Sequence, residues 1–449
     1  MKRSLPPGPP APSLIQGVAM WTRPLASLER GRARYGKRFT VRFPFAPPFV
    51  LHSEPEHVKE IFTASPDVLH PGEGARVLEP IVGQNSVILL DGDAHMEQRK
   101  LMLPAFHGER MERLTELVTS VTVDEIEAWA GADVGLHHRL QALTLEIILR
   151  AVFGLDPGPR LEALRDTLTE LLAYGGSPLT LIPGSKDPKR LELTMRAFNA
   201  AGPLKGFLEV RERVTRLIFE QIDERRAEGD SGRDDVLAML LSARHEDGSE
   251  MSQQELRDEL MTLLVAGHET TASMLAWAFE RISREPDVLA RLADEVADDE
   301  SPYVVATIQE TLRRRPVLPN TAPRLVMKPT TVGGWSYEPG VCLVANAYLL
   351  HHDPEVYPDP YAFRPERFLD EKPGTYTWIP FGGGRRRCIG MSFAMLEMRI
   401  VIRELLRAYD LCPSEPGHEV SKRKNITITP ARGSRVGLAR TPDRVEVAA

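Results

Sequence analysis

One helical pattern near the middle of the chain sets the scale of whatever this sequence folds into. Ser252-Gln253-Gln254-Glu255 is a capping box, and Leu256, Leu260, Leu263, Leu264, Gly267, Met274 and Leu275 follow at helical spacing, with Pro286 just beyond. From residue 252 to 284, at a rise of about 1.5 Å per residue, such a helix is about 48 Å long, enough to cross a large domain. Its centre reads Ala266-Gly267-His268-Glu269-Thr270-Thr271, an acid and two hydroxyls inside an apolar run. Buried polar groups need partners or a task.

The rest of the chain is organised around that helix. Further apolar repeats at spacings of three and four fall in residues 110–129, 140–153 and 208–226. Of the 37 prolines, 25 lie in residues 1–80 and 302–380, which assigns those stretches to loops, turns and short strands, the best strand patterns being 38–42, 49–52 and 341–348. With no repeat and no linker beyond a Pro-rich leader at 1–13, the 449 residues predict a mainly α unit with a minor β part over 14–449. A net charge of −7 lacks the global basic field of a nucleic-acid binder. No apolar run near the start is long enough for a signal peptide or a bilayer span, so a cytoplasmic chain with no membrane anchor is expected. Three scattered cysteines, Cys342, Cys388 and Cys412, fit a reducing compartment and no zinc cluster.

Only Cys388 has a setting that calls for chemistry. It sits in Phe381-Gly382-Gly383-Gly384-Arg385-Arg386-Arg387-Cys388-Ile389-Gly390, directly before a helical run at 391–406. Glycines let the backbone turn tightly beside a flat group, and a helix N-terminus favours the thiolate. A phosphate loop would need Lys-Ser/Thr after the last glycine and a preceding strand, and neither is there. A plain turn with a core cysteine is the other ordinary reading. With no second cysteine or histidine cluster nearby, a lone thiolate points to a metal whose other ligands belong to a cofactor, chiefly haem iron.

At these residues the sequence resembles the cytochrome P450 superfamily, whose Cys loop runs Phe-x-x-Gly-x-Arg-x-Cys-x-Gly; the fixed positions are met at Phe381, Gly384, Arg386, Cys388 and Gly390. The resemblance continues through the acid-Thr pair, Glu310-x-x-Arg313, Phe363-Arg364-Pro365-Glu366-Arg367-Phe368 and His95-x-x-x-Arg99. It implies a single-domain fold with the long helix over haem b (iron protoporphyrin IX), Cys388 on the metal, and Glu310, Arg313 and Arg367 as a network under the Cys loop. On spacing alone, Glu310 and Arg313 are an ordinary helical ion pair. Haem propionates need cationic or hydrogen-bonding partners, and His95, Arg99, Arg324 and Arg386 match family positions for them. Many family members carry Trp where this chain has His95.

Function centres on Glu269 and Thr270. A zinc-protease reading of His268-Glu269 fails because Ala272 stands where a second histidine is required. With the helix over haem, Ala266 and Gly267 line the site, Gly267 leaving room for O2. Thr270 is expected to bond back to the Ala266 carbonyl and loosen the helix, donating protons fed by Glu269. Thr271 and His268 read as packing, His137-His138 and His351-His352 as exposed turns, Cys342 as core and Cys412 as a loop thiol.

The expected activity is insertion of one oxygen atom from O2 into an apolar small molecule such as a fatty acid, terpenoid or other secondary metabolite. With no flavin or nicotinamide fingerprint, electrons come from a ferredoxin or flavodoxin, steered to a monomeric partner by Lys100, Arg385 and Arg387. The pocket is expected from Val77, Leu78, Ile81, Val82, Leu181, Val317 and Leu318, with Arg76 for any carboxylate. A haem-thiolate peroxygenase or isomerase, or a haem-binding sensor, are the alternatives.

Overall fold

The long helix forms as Gln253–Ile282. Both halves of its capping box close, the Ser252 hydroxyl accepting from Glu255 N–H at 3.2 Å and the Glu255 carboxylate from Ser252 N–H at 2.7 Å. The computed structural model describes residues 5–106, 110–174, 205–229 and 232–441. Within them, Leu136–Ala151, Phe207–Glu228, Pro302–Arg314 and Met391–Ala408 pack along the long helix. It is therefore buried round most of its circumference, and one continuous core runs from Trp129 and Phe153 through Leu260 and Phe279 to Val401. The expected helices form within a few residues of their predicted ends. The stretch expected to be a strand over 341–348 stops at Cys342–Ala345; Asn346 then caps a helical turn, Ala347–His351, by accepting from Leu349 N–H at 2.7 Å.

The β part is peripheral. A five-stranded mixed sheet runs Arg38–Val41, Phe49–His52, Cys342–Ala345, Arg324–Val326, Leu69–His70 across its width. Val50 lies opposite Leu343 in parallel register, and Leu343 faces Arg324 across the next, antiparallel pair. A three-stranded sheet joins Gly131–Gly135, Arg435–Arg440 and Tyr409–Pro413. Cys412 belongs to that last strand rather than to a loop, and a Cβ on its partner Gly437 would lie 2.7 Å from its sulfur. The leader is not a free tail: Thr40 N–H donates to Pro7 O at 3.0 Å, and Gln16 Nε2 donates to Pro9 O and Ala11 O at 3.1 and 2.7 Å.

What positions the Cys loop is an ion pair with no solvent exposure at all. Arg313 Nε and Nη2 donate to the two Glu310 oxygens at 2.7 and 2.9 Å, and both side chains are fully buried. The remaining guanidinium protons go to the carbonyls of His351, Pro360 and Ala362. Glu310 also accepts from Arg364 N–H at 2.8 Å and Arg367 Nε at 3.3 Å. His351 and His352, expected on an exposed turn, are fully buried. Burial holds the His351 imidazole down to about 3, hence neutral, and its Nε2 accepts Ile379 N–H at 2.9 Å. Trp378 Nε1 donates to Gln309 O at 3.2 Å and its ring meets Phe381 at 6.0 Å between centroids. The helix carrying the ion pair thus grips the strand of chain that enters the Cys loop.

Breaking such a pair strands a charge in the core. Arg313→Met is expected to cost about 3–5 kcal/mol in urea unfolding. A loss under about 1 kcal/mol, the worth of a solvated pair, would contradict the burial described.

Candidate active site

The loop at 381–390 folds back on itself through Cys388 N–H donating to Phe381 O at 3.0 Å. Gly382 and Gly384 take φ of +66° and +65°, and a Cβ on Gly384 would fall 2.3 Å from the Phe62 carbonyl, so a side chain there is excluded twice. The turn ends at the start of Met391–Ala408, which puts Cys388 beside free N–H groups. Its sulfur is accessible at the surface of the loop, yet the surroundings raise the thiol pKa, while Gly390 N–H, Arg99 and Arg387 favour the thiolate. Cys342, by contrast, is buried in the sheet and pushed up to about 12.

Around this loop the chain gathers cations. His95, Arg324 and Arg386 line one small cavity together with Asp91 and Phe62. Arg386 Nη2 donates to Asp91 Oδ1 at 2.7 Å, and Arg324 Nη1 donates to Ile61 O at 2.9 Å while stacking over Phe62. Burial, and after it the charge of Arg386, hold Arg324 down to about 10. Burial likewise lowers Arg386 to about 10, with Arg99 acting the same way and Asp91 opposing. Burial, Arg386 and Arg99 lower His95 to about 3, so its imidazole is neutral. Three guanidiniums therefore surround one carboxylate, an excess of two positive charges in a partly desolvated place. Two carboxylates on one flat group would balance it. Among the described residues no His, Cys, Asp and Glu cluster could hold a metal, so the sulfur is offered without protein co-ligands. A planar iron cofactor with two propionates fits this donor set, with Cys388 on the metal and His95, Arg99, Arg324 and Arg386 at its acidic edge.

The middle of the long helix is the other half of the site. Ala266 is exposed and Val265, Gly267 and Thr270 partly so, in a helix otherwise enclosed. Thr270 Oγ1 donates to the Ala266 carbonyl, but the α-helix runs through both residues unbroken, so the expected loosening does not occur. Gly267 has a packing task instead: its Cβ would lie 3.0 Å from Ile148 of the neighbouring helix. Glu269 turns to that neighbour as well. Its oxygens take Gln141 Nε2 at 2.6 Å, Lys424 Nζ at 2.7 Å, and His137 Nε2 and Ser273 Oγ at 3.2 Å each. Burial alone would raise its pKa; the His137 hydrogen bond and the Lys424 charge outweigh it and hold the carboxyl at about 2. His268 is buried and neutral, and His137 is a buried partner rather than an exposed turn residue.

Of the expected pocket residues, Leu78 and Val82 join Ile88, Leu89 and Val265 in one apolar cluster beside Ala266. Val77 is partly buried, Ile81 packs against the main core, Val317 is buried within it and Leu318 is half-buried. Leu181 lies outside the described residues. Arg76 is held by Glu73 at 2.8 Å and Glu79 at 3.2 Å, and Lys100 by Glu246 at 2.8 Å, so neither is a free cation. Asp91, Gln141 and Lys424 went unrecognised in the sequence because no local spacing marks them.

Comparison with known proteins settles what this arrangement belongs to. The cytochrome P450 family model matches residues 6–435. The chain belongs to the cytochrome P450 family. Two relatives in Mycobacterium tuberculosis are a putative cytochrome P450 135B1, 37% identical over 98% of this chain and 92% of the relative, and a putative cytochrome P450 138, 36% identical over 97% and 96%. A solved cyanobacterial P450, described as retinoic acid-bound CYP120A1, superposes with a TM-score of 0.82 over 98% of this chain and all of that one, at 22% identity. The protein is thus a haem-thiolate monooxygenase that carries haem b, and among the described residues no helix is long and apolar enough to cross a membrane.

The Glu269 cluster makes a pH prediction for this P450. A carboxyl held below its unfolded value stabilises the fold above about pH 4.5, and the contribution vanishes as pH falls through about 2. Wild type is expected to exceed Glu269→Gln by an amount that shrinks, on the order of 3 kcal/mol in all, between those pH values in urea unfolding. A pH-independent difference would contradict the clamp.

Proposed function

We propose that this P450 hydroxylates a medium or long apolar chain or a terpenoid skeleton, with electrons delivered in the cytoplasm by a ferredoxin or flavodoxin. The observation that carries the substrate class is the wall formed by Leu78, Val82, Ile88 and Val265 next to Ala266, aliphatic throughout, with the nearby Arg76 already neutralised. An apolar guest gains by covering that wall, whereas a charged one would have no partner on it.

When bound, haem supplies one-electron reduction and oxygen activation. The chain's own residues do the rest. Cys388 ligates the iron through sulfur, and the excess charge of Arg99, Arg324 and Arg386, with His95, anchors the propionate edge and fixes the ring. Thr270 holds a proton at Oγ1, on the partly exposed stretch beside Ala266. Glu269 resupplies that proton only after releasing one of its four partners, Lys424 being the partner that reaches solvent. The apolar wall keeps bulk water from the proton-delivery residues. On the loop side, Arg385 and Arg387 are exposed and form the basic ground for an acidic electron donor; Lys100 contributes little because of Glu246.

Reduced wild type under carbon monoxide is expected to give the strongly red-shifted Soret band of thiolate ligation, lost in Cys388→Ser and kept in Cys342→Ser and Cys412→Ser. Thr270→Ala is expected to leave that band and substrate-induced spin shifts in place while product per electron falls about tenfold or more and hydrogen peroxide rises. Unchanged coupling would remove Thr270 from proton delivery. Spin shifts with charged polar aromatics in preference to fatty acids or sesquiterpenoids of similar size would overturn the substrate class.

A further inference from the structure

The first helix of the chain is amphipathic the wrong way round. In Ser13–Thr22 the polar Gln16 is buried, its amide spent on Pro9 O, Ala11 O and Arg42 N–H. Leu14, Ile15 and Val18, which share the opposite face, are 66%, 58% and 55% exposed. The helix rests on the turn that joins Arg38–Val41 to Phe49–His52: a Cβ on Gly17 would lie 3.5 Å from Pro44. At the tip of that turn Phe45 is 88% exposed and held at φ +58°, a left-handed conformation that a bulky residue adopts only under constraint. Nothing in the fold of the described residues is gained by presenting an aromatic ring to water on strained backbone. A cluster of large apolar groups on a protruding edge is the mark of a contact surface.

The charge around it indicates what the contact is. Residues 1–53 hold nine Lys and Arg against the single acid Glu29, net +8 in a chain whose total is −7. Arg23 and Arg42, immediately flanking the helix and the turn, are exposed. The adjoining hairpin strand Ser421–Lys424, tied to the helix through Arg423 Nη1 on Met20 O at 3.4 Å, adds exposed Lys422. Apolar side chains ringed by exposed cations match the interface of an anionic bilayer, where hydrocarbon takes the former and headgroups the latter. An acidic protein would answer the charge but not the protruding ring and three aliphatic side chains.

We propose that this edge docks the enzyme reversibly on an anionic lipid surface, as a peripheral attachment distinct from any bilayer span. The inference does not depend on the substrate reading. Its test is co-sedimentation of the haem-loaded full chain with phosphatidylglycerol–phosphatidylcholine vesicles, with phosphatidylcholine alone as the reference. Sedimentation with the anionic vesicles is expected, reduced by added salt and weakened about tenfold or more by Val18→Ser with Phe45→Ser, each removing apolar area from the contact. The double variant should keep the wild-type Soret band and urea midpoint, since neither residue touches the site. Absence of sedimentation overturns the proposal, and so does sedimentation that salt abolishes but the double variant leaves untouched, which would be charge alone. Indifference to vesicles together with a solution dimer that the double variant dissolves would assign the edge to a second copy of the chain. Indifference to vesicles together with binding of an acidic ferredoxin that the double variant weakens would assign it to a protein.

Discussion

Everything at the active site hangs from a charge that cannot be left half paired. Glu310 and Arg313 lie at zero exposure, and the guanidinium satisfies all five of its protons on one carboxylate and three carbonyls. In a low-dielectric core a group so placed allows little drift, because every displacement leaves a donor or a charge unmet. The constraint passes outward through His351, whose carbonyl serves Arg313 and whose imidazole takes Ile379 N–H. Two residues further on, Phe381 gives its carbonyl to Cys388 N–H. A single cysteine can serve as a metal ligand only if its loop is held from below, and this relay of hydrogen bonds holds it.

A second line of constraint joins the loop to the long helix. Arg386 reaches from the Cys loop to the carbonyls of Val87 and Ile88 and to Asp91. From the other side, Asp258 takes Asn85 N–H, Glu259 takes Val87 N–H at 2.8 Å, and Thr262 donates to Ser86. Burial pushes the Glu259 carboxyl up to about 8, so at neutral pH it is largely an uncharged acid holding an amide. Residues 85–91 are thereby strung between the helix and the loop. Ile88 on this strap belongs to the same apolar wall as Val82 and Val265. The substrate wall and the thiolate loop are consequently parts of one framework, and their separation is fixed by hydrogen bonds rather than by loop flexibility.

The features legible in the sequence were the local ones. The capping box at Ser252, the apolar repeats of the major helices and the glycine turn before Cys388 each declare themselves within ten residues or so. The Glu310–Arg313 pair was visible but ambiguous, since spacing reads the same for a solvated pair as for a buried one; the family pattern, not periodicity, separated the two. His351 was misread for the same reason, a histidine doublet before Asp353 looking like an exposed turn until Asn346 caps a helix there. The partners of Glu269 were out of reach altogether. Gln141 and Lys424 come from 128 and 155 residues away, and only the tertiary fold brings them to the carboxylate. The role of Gly267 likewise depends on Ile148, a residue no local pattern couples to it.

The claim that the buried pair controls the Cys loop through His351 is tested most directly by native-state amide hydrogen exchange on His351→Leu. Loss of the imidazole acceptor leaves Ile379 N–H unpaired, a cost of about 1–3 kcal/mol. Exchange at Ile379 and Cys388 is therefore expected to quicken by roughly 10- to 100-fold. Amides in the middle of Gln253–Ile282 should keep their wild-type protection. Unchanged exchange at Ile379 and Cys388, or an equal loss of protection through the long helix, would contradict it.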